Sequence, residues 1–448
     1  GKLDARRRDD GGVRGGLATL TDGARRMRAE PGRDRLRDGG AARWAALLAA
    51  AVALHVLFWL VSQPATAFAD FYKAYFHAAE VVFEHGPVPT WPIDEDSTEV
   101  GFVNIPGLVW LFVPLVPLGK PLAAWIFLGL GAAAMAAAYA LLLRLGRPSP
   151  RAAGALLLLF LANGPLVNSL REGNTTHFVL LLLIVALLLW RNGREVAAGL
   201  ALGFCAMIKP PLLLFGVYFL LRGRWRIVAG GAAMIAAIVA LSLATFGLGI
   251  NVGWYKACIE PFMRGPIAAF NVQSIDGFLI RLVTGPEELD NWFPLVPSIA
   301  HRVVRIVSVA GLFVGAFWLF RRAARARPSA GVAPRDYLEF SIVLLIALVS
   351  TPVSWTHYYL LLLLPCGLYL SGRLALPDDG VTRRLFWASW LLSALPVVSP
   401  PAEPEWLAEI LSRTVVSAWL FGGFLMLAAL ARGAFAAVAA PAPAAAKV

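Results

Sequence analysis

Apolar residues in this chain come in blocks, and the blocks approach the length that crosses a bilayer. About 20 helical residues cover ~30 Å of hydrocarbon. Candidate spans fall near residues 44–61, 122–143, 152–167, 175–190, 196–208, 212–221, 227–246, 303–320, 338–349, 358–370, 385–398 and 406–430. Leu, Ala, Val, Gly and Phe fill them without strand-like alternation, which specifies helices. The expected architecture is therefore an all-α polytopic membrane protein with about twelve transmembrane helices. The short blocks either side of Lys209-Pro210-Pro211 read as two tilted helices or one broken pair. The chain is 58% hydrophobic and 15% charged, against ~25% charged in soluble domains. No nucleotide-binding glycine loop and no soluble catalytic domain is found in it.

Charge assigns an orientation. Residues 1–43 hold twelve Lys/Arg and seven Asp/Glu among many glycines. That composition buries no core and reads as a disordered basic cytoplasmic tail. With this tail inside, the connections at 144–151, 191–194, 222–226, 321–335 and 373–384 are also inside. Thirty of the forty Lys/Arg then lie on the cytoplasmic side, as the positive-inside rule requires. The outer segment 63–120 has seven acids and two bases. The parity holds only if the proline-punctuated run 105–118 does not cross, so it is expected as an outer interfacial or re-entrant helix. The net charge of +12 is then an orientation signal, and no nucleic-acid partner is implied. The expected division is a tail at 1–43, a membrane domain at 44–432 with outer loops 63–120 and 247–302, and a disordered Ala/Pro-rich tail at 433–448. Both termini are expected to be cytoplasmic, and the protein is expected in the plasma (inner) membrane. Cys205, Cys258 and Cys366 imply no disulfide framework and no metal cluster.

Polar residues gather at the outer ends of the helices: Asn163, Asn168, Glu172, Asn174, Lys209, Ser354 and His357. Such residues are costly near a bilayer and mark a cavity or a substrate path. Asp70 opens a stretch in which a helix would align it with Lys73 and His77. It reads either as a helix cap or as a catalytic carboxylate. Lys209 pairs with a phosphate or merely snorkels. His357 holds a phosphate or a sugar hydroxyl, or is an interfacial residue among Trp355, Tyr358 and Tyr359. Asn271-Val272-Gln273-Ser274 and Arg281 have the donors of sugar or phosphate ligands, and are equally ordinary loop residues. Asp94-Glu95-Asp96 reads as a solvated acidic loop more naturally than as a cation site.

These motifs, in this order, resemble glycosyltransferase family 87, integral membrane sugar transferases of the GT-C fold. The likeness runs over about residues 70–359. It rests on Asp70 just after the first span, and on Arg171-Glu172-Gly173-Asn174 at the head of an apolar helix, where members often have Gly-Gln-x-Asn. It rests also on the run ending in Lys209-Pro210, on Asn271-Val272-Gln273-Ser274 with Arg281, and on Ser350 to Tyr358, close to Ser-Pro-x-Ser-Trp-x-His-His. Tyr358 stands where the second His of that pattern would be.

The resemblance implies outer juxtamembrane helices, where 105–118 falls. It implies inverting transfer of a hexose, mannose by default, from a polyprenyl-phosphate donor to a lipid or glycan hydroxyl at the extracytoplasmic face. Asp70 would be the general base, within ~3 Å of the acceptor hydroxyl in the productive complex. Lys209, His357 and Arg281 would stabilise the departing phosphate. Asn174, Gln273 and Ser274 would orient sugar or phosphate oxygens, and membrane grooves would hold the polyprenyl tail. No cofactor and no metal enters this scheme. The alternative is a multi-pass transporter or lipid-linked sugar flippase, which would show broken helices and midplane charges within internal repeats. Here the polar groups sit on one side and no repeat is evident.

Overall fold

The computed structural model describes residues 67–86, 102–324, 332–394, 399–400 and 403–439. The expected tail 1–43, the expected span 44–61 and Asp94-Glu95-Asp96 lie outside these residues. Each of the other eleven apolar blocks falls largely on helix over its described residues, the block 385–398 as far as Ala394. Helix α1 starts as a π-helical stretch, Phe71–Phe76, and continues as His77–His85. Next come α2 (Lys120–Gly146), α3 (Pro150–Leu161), α4 (Gly164–Glu172), α5 (Thr176–Arg191), α6 (Glu195–Ile208), α7 (Leu214–Leu221) and α8 (Trp225–Trp254). The second half holds α9 (Ile275–Arg281), α10 (Ile299–Ala324), α11 (Pro334–Ser350), α12 (Leu363–Leu370), α13 (Gly380–Ala394), α14 (Glu405–Arg413) and α15 (Ala418–Ala439).

Among the described residues four helices are long and apolar enough to cross a membrane, or five if the pair α3 and α4 counts as one broken span. That pair bends by 49°. The remaining blocks form shorter apolar helices, because polar or proline-bearing breaks interrupt them. At Lys209 a 3-10 turn, Pro210–Leu213, separates α6 from α7. Proline after the lysine removes a backbone donor and moves the preceding residue out of helical space; Lys209 is extended at φ −131°, ψ 90°.

Three expectations are redrawn. The run 105–118 is two short 3-10 stretches, Pro106–Leu111 and Val113–Leu118, rather than one helix. It is pinned to α8 where Gly107 N–H donates to Ser242 Oγ at 2.9 Å. The loop expected at 247–302 begins as helix, since α8 continues across Gly247 (φ 71°) and on to Arg264. Asn251 Nδ2 donates to the Ser242 and Gly247 carbonyls at 3.2 and 2.7 Å, which satisfies the acceptors that the kink frees. The tail expected from 433 is helical to Ala439, as an alanine-rich sequence favours.

The packing is centred on α11 and the segment Thr356–Leu370, whose residues are almost all buried. Both are apolar on every side, the mark of an interior helix. Helices α6 and α8 approach closely at Gly199 and Gly203, facing Gly230 and Gly231, where any Cβ would meet opposing backbone. Small residues let helix backbones pack in lipid, where hydrophobic driving force between helices is weak. Helix α10 instead exposes Val303, Val304, Ile306, Val307, Val314 and Phe317, an apolar face suited to lipid.

Polar groups separate to the two ends of these helices. Buried Glu339 accepts from Arg335 Nε at 2.7 Å and from Tyr218 Oη at 2.9 Å, and pairs with Arg222 Nη2 at 2.6 Å. Arg224 pairs with Glu195 at 3.1 Å, at the start of α6. Lys209 follows the last residue of α6. Fourteen residues at 1.5 Å each put the two ends about 20 Å apart.

Candidate active site

Asp70 takes the N-terminal position of α1, yet its side chain makes no cap hydrogen bond. The capping role is not the one it plays. Its Oδ2 accepts from Asn174 Nδ2 at 2.8 Å. The π-helical winding of the next residues shifts the phase of the helix, so Lys73 and His77 are exposed while Asp70 is half-buried. The expected common face of these three is thereby broken. Burial raises the Asp70 carboxyl above its usual range, against lowering by the Asn174 hydrogen bond and the Lys209 charge.

Asn174 is fixed by its surroundings. Its Oδ1 accepts from Thr176 N–H at 3.0 Å and Thr176 Oγ1 at 2.7 Å, and from Lys209 Nζ at 3.3 Å. With its oxygen held in this way, the amide nitrogen turns to Asp70. Gly173 makes the corner possible. It ends α4 in a left-handed conformation, φ 71°, which only glycine adopts without strain. A Cβ there would sit 2.6 Å from Phe71 Cβ. The Phe68 N–H donates to the Arg171 carbonyl at 2.7 Å, so the entry to α1 and the end of α4 are tied together.

The Lys209 ammonium also lies 4.6 Å from the centre of the Tyr358 ring, a cation–π contact. His357 comes from a 3-10 stretch, Thr356–Leu362. One ligand-capable atom each of Asp70, Glu172 and His357 lies within 4.8 Å of the others. His357 Nε2 is buried with no hydrogen-bond partner. Asp70, Asn174, Lys209 and His357 therefore gather from four separate parts of the chain. Glu172, absent from the expected ligand set, joins them. Its signal in the sequence was its place two residues before Asn174.

Gln273, Ser274 and Arg281 have other partners. Gln273 Nε2 donates to the Phe270 and Val416 carbonyls at 2.8 and 2.6 Å, and its Oε1 accepts from Leu420 N–H at 3.3 Å. Ser274 Oγ caps α9 through Gly277 N–H at 3.0 Å and donates to the Pro352 carbonyl at 2.8 Å. Arg281 is 1% exposed and donates to the Ala268 and Ala269 carbonyls and to Ser417 Oγ. Together they brace the turn that carries His357: Val272 and Trp355 form an antiparallel bridge, and Gln273 N–H donates to the Ser354 carbonyl at 2.6 Å. Asn163 caps α4 through Leu166 N–H at 2.8 Å, and Asn168 accepts from Arg171 at 3.1 Å.

By distance alone Asp70, Glu172 and His357 could hold a divalent cation. Charge weighs against it. Arg171 Nη2 lies 3.6 Å from Glu172 Oε1, and Lys209 acts on Asp70 electrostatically. The two carboxylates already have two cationic neighbours, and a dication would leave the group strongly positive. A separate cavity of about 610 Å³ between α7, α10 and α11 is apolar apart from Tyr218 and the Arg222 and Arg321 side chains, and shares no residue with this group.

The sequence profile of glycosyltransferase family 87 matches residues 102–352, more than half of the 448-residue chain. Two curated relatives come from Mycolicibacterium smegmatis. A polyprenol-phosphate-mannose-dependent alpha-(1-2)-phosphatidylinositol mannoside mannosyltransferase is 28% identical over 239 residues, 51% of this chain and 49% of that protein. A polyprenol-phosphate-mannose-dependent alpha-(1-2)-phosphatidylinositol pentamannoside mannosyltransferase is 27% identical over 220 residues, 47% of this chain and 49% of that protein. The chain thus spans about half the length of the curated relatives it matches. Among solved structures, ArnT from Cupriavidus metallidurans bound to undecaprenyl phosphate is similar with a TM-score of 0.40 and 16% identity, over 88% of this chain and 78% of that one. The profile match, covering Asn174, Lys209 and the Asn271–Arg281 segment in one continuous run, makes this chain a member of glycosyltransferase family 87.

Proposed function

We propose that this glycosyltransferase moves a hexose, mannose by analogy with its relatives, from a polyprenyl phosphate to an acceptor hydroxyl on a lipid or glycan. The acceptor oxygen attacks the anomeric carbon from the face opposite the phosphate. The proton of that hydroxyl passes to Asp70, the new C–O bond forms, and the bond to phosphate breaks with its electron pair on the departing polyprenyl phosphate. The configuration inverts. Lys209 and His357 stabilise the leaving charge. Asn174 holds Asp70 in place and links it to Lys209. Gln273, Ser274 and Arg281 keep the His357 turn in position. The reaction runs at the extracytoplasmic face, on the reading that the basic helix ends are cytoplasmic.

One observation carries this reading: the Asp70 carboxylate turns away from its own helix end and toward Asn174 and Lys209. The test is transfer of labelled mannose from a short-chain polyprenyl phosphate to octyl α-mannoside, using the full chain in lipid nanodiscs. Asp70→Asn should lower kcat by ~10²-fold or more with little change in donor KM. Transfer retained in that variant removes Asp70 as the base. In the unsubstituted protein transfer should fall as pH drops. The limb should lie above the ordinary carboxylate value of ~3.9, because burial raises the Asp70 carboxyl.

A further inference from the structure

The 610 Å³ cavity between α7, α10 and α11 is a groove with one charged end. Its size is that of a small-molecule site, ~300–1,000 Å³. Val217 and Leu221 from α7, Phe313 and Phe317 from α10, and Ile346 from α11 make its walls. All but Ile346 are exposed, so the groove opens on the face that meets lipid. Helix α7 runs along it from Leu214 to Leu221, and Arg222 follows at its end. The apolar span of α10 is the 23 residues Ile299–Arg321. At 1.5 Å each it is about 34 Å long, against ~30 Å of hydrocarbon. Arg321 therefore ends the span at the depth of lipid headgroups.

The charged end is short of anions. Glu339 is shared, at 2.6 Å from Arg222 Nη2 and 2.7 Å from Arg335 Nε. Arg335 Nη2 also donates to the Phe320 carbonyl at 3.3 Å, which sets Arg321 beside this cluster. The other acid nearby, Asp336, accepts from the Ala333 N–H at 2.7 Å. The Arg321 guanidinium lies 5.7 Å from the Phe317 ring, and among the described residues it has no acidic partner. Three guanidinium groups thus face two carboxylates. The sequence brings none of its own to Arg321, since residues 321–331 hold four arginines and no acid. We propose that the groove binds an anionic glycerophospholipid, with its phosphate on Arg321 and Arg222 and an acyl chain along α7 and α10. Guanidinium forks match phosphate oxygens, and basic pockets between membrane helices take such headgroups. The acyl chain alone selects nothing, because every lipid tail is as apolar as the groove; the headgroup charge does. About 20 Å of α7 and its preceding 3-10 turn separates this headgroup position from Lys209, so it is not the place of the reacting phosphate.

The test is native mass spectrometry of the full chain, delipidated in a neutral detergent and titrated with dioleoyl phosphatidylglycerol or dioleoyl phosphatidylcholine. The first phosphatidylglycerol should bind about tenfold tighter than phosphatidylcholine. Arg321→Gln should weaken it about tenfold. Val314→Trp, which fills the mouth from an exposed position of α10, should weaken it comparably with Arg321 intact. Arg226→Gln, an exposed arginine of α8 that does not line the groove, should leave it unchanged. Equal binding of the two lipids overturns the proposal, as does binding unmoved by Arg321→Gln or by Val314→Trp. Equal weakening by Arg226→Gln overturns it in favour of a diffuse surface attraction. Displacement of phosphatidylglycerol by an equimolar short-chain polyprenyl phosphate, lost in Arg321→Gln, overturns it in favour of a polyprenyl site. All of these are read without turnover, so they stand apart from the role of Asp70.

Discussion

Gly173 stands between Glu172 and Asn174 and has no substitute. At φ 71° any side chain is strained, and a Cβ would lie 2.6 Å from that of Phe71. Left-handed backbone costs a non-glycine residue roughly 1–2 kcal/mol, and the clash adds to it. Gly173→Ala should therefore lower the thermal midpoint in detergent and, per folded molecule, reduce transfer, because Asn174 and α1 can no longer meet. Asn174→Ala should reduce transfer as well and lower the thermal midpoint. It removes hydrogen bonds to two charged groups, Asp70 and Lys209, each worth ~1.5–3 kcal/mol, and two more from Thr176. Residue-level legibility was uneven for physical reasons. A carboxylate in an otherwise apolar stretch is expensive enough to stand out in the sequence, as Asp70 does. Arg281 has the donors of a phosphate ligand, yet a donor inventory does not say which acceptor is nearest. In the fold it serves the Ala268 and Ala269 carbonyls and Ser417. Glu172 was visible only as one of several polar helix ends, since nothing local distinguishes an acid beside an arginine from an acid beside another acid.

Among the elements, the short ones position the site. The bridge between Val272 and Trp355 joins two segments more than eighty positions apart, and Ser274 both caps α9 and holds Pro352. Ser274→Ala should cost about 1 kcal/mol through the lost cap. It should also raise donor KM through a loosened His357 turn, a split readable by steady-state kinetics. Helix locations were legible because apolar runs are local properties. Their breaks were less so. Proline at 210 and 211 marks one break plainly, but the bend between α3 and α4 and the kink at Gly247 depend on partners such as Asn163 and Asn251. The winding of α1 was not legible either. A π-helical stretch keeps the composition of an α-helix while rotating every later side chain, and this is why Lys73 and His77 part from Asp70.

Across the whole molecule, charge is divided between the two ends. Glu339 is 2% exposed and holds Arg222, Arg335 and Tyr218 at the end away from Asp70. Glu339→Gln leaves two guanidinium groups poorly compensated, at a cost near the lower end of ~3–5 kcal/mol, since water reaches part of both. The thermal midpoint should fall clearly, whereas the pH profile of transfer per folded molecule should keep its shape. The Gln273 side chain reaches the opposite way along the chain, to Val416 and Leu420, and Arg281 reaches Ser417. A nascent polypeptide stopped after residue 400 would already hold the acids, the lysine and the imidazole, but not the late segment that locks their scaffold. Such an intermediate should be inserted yet inert, so sugar transfer would switch on only once α15 has docked.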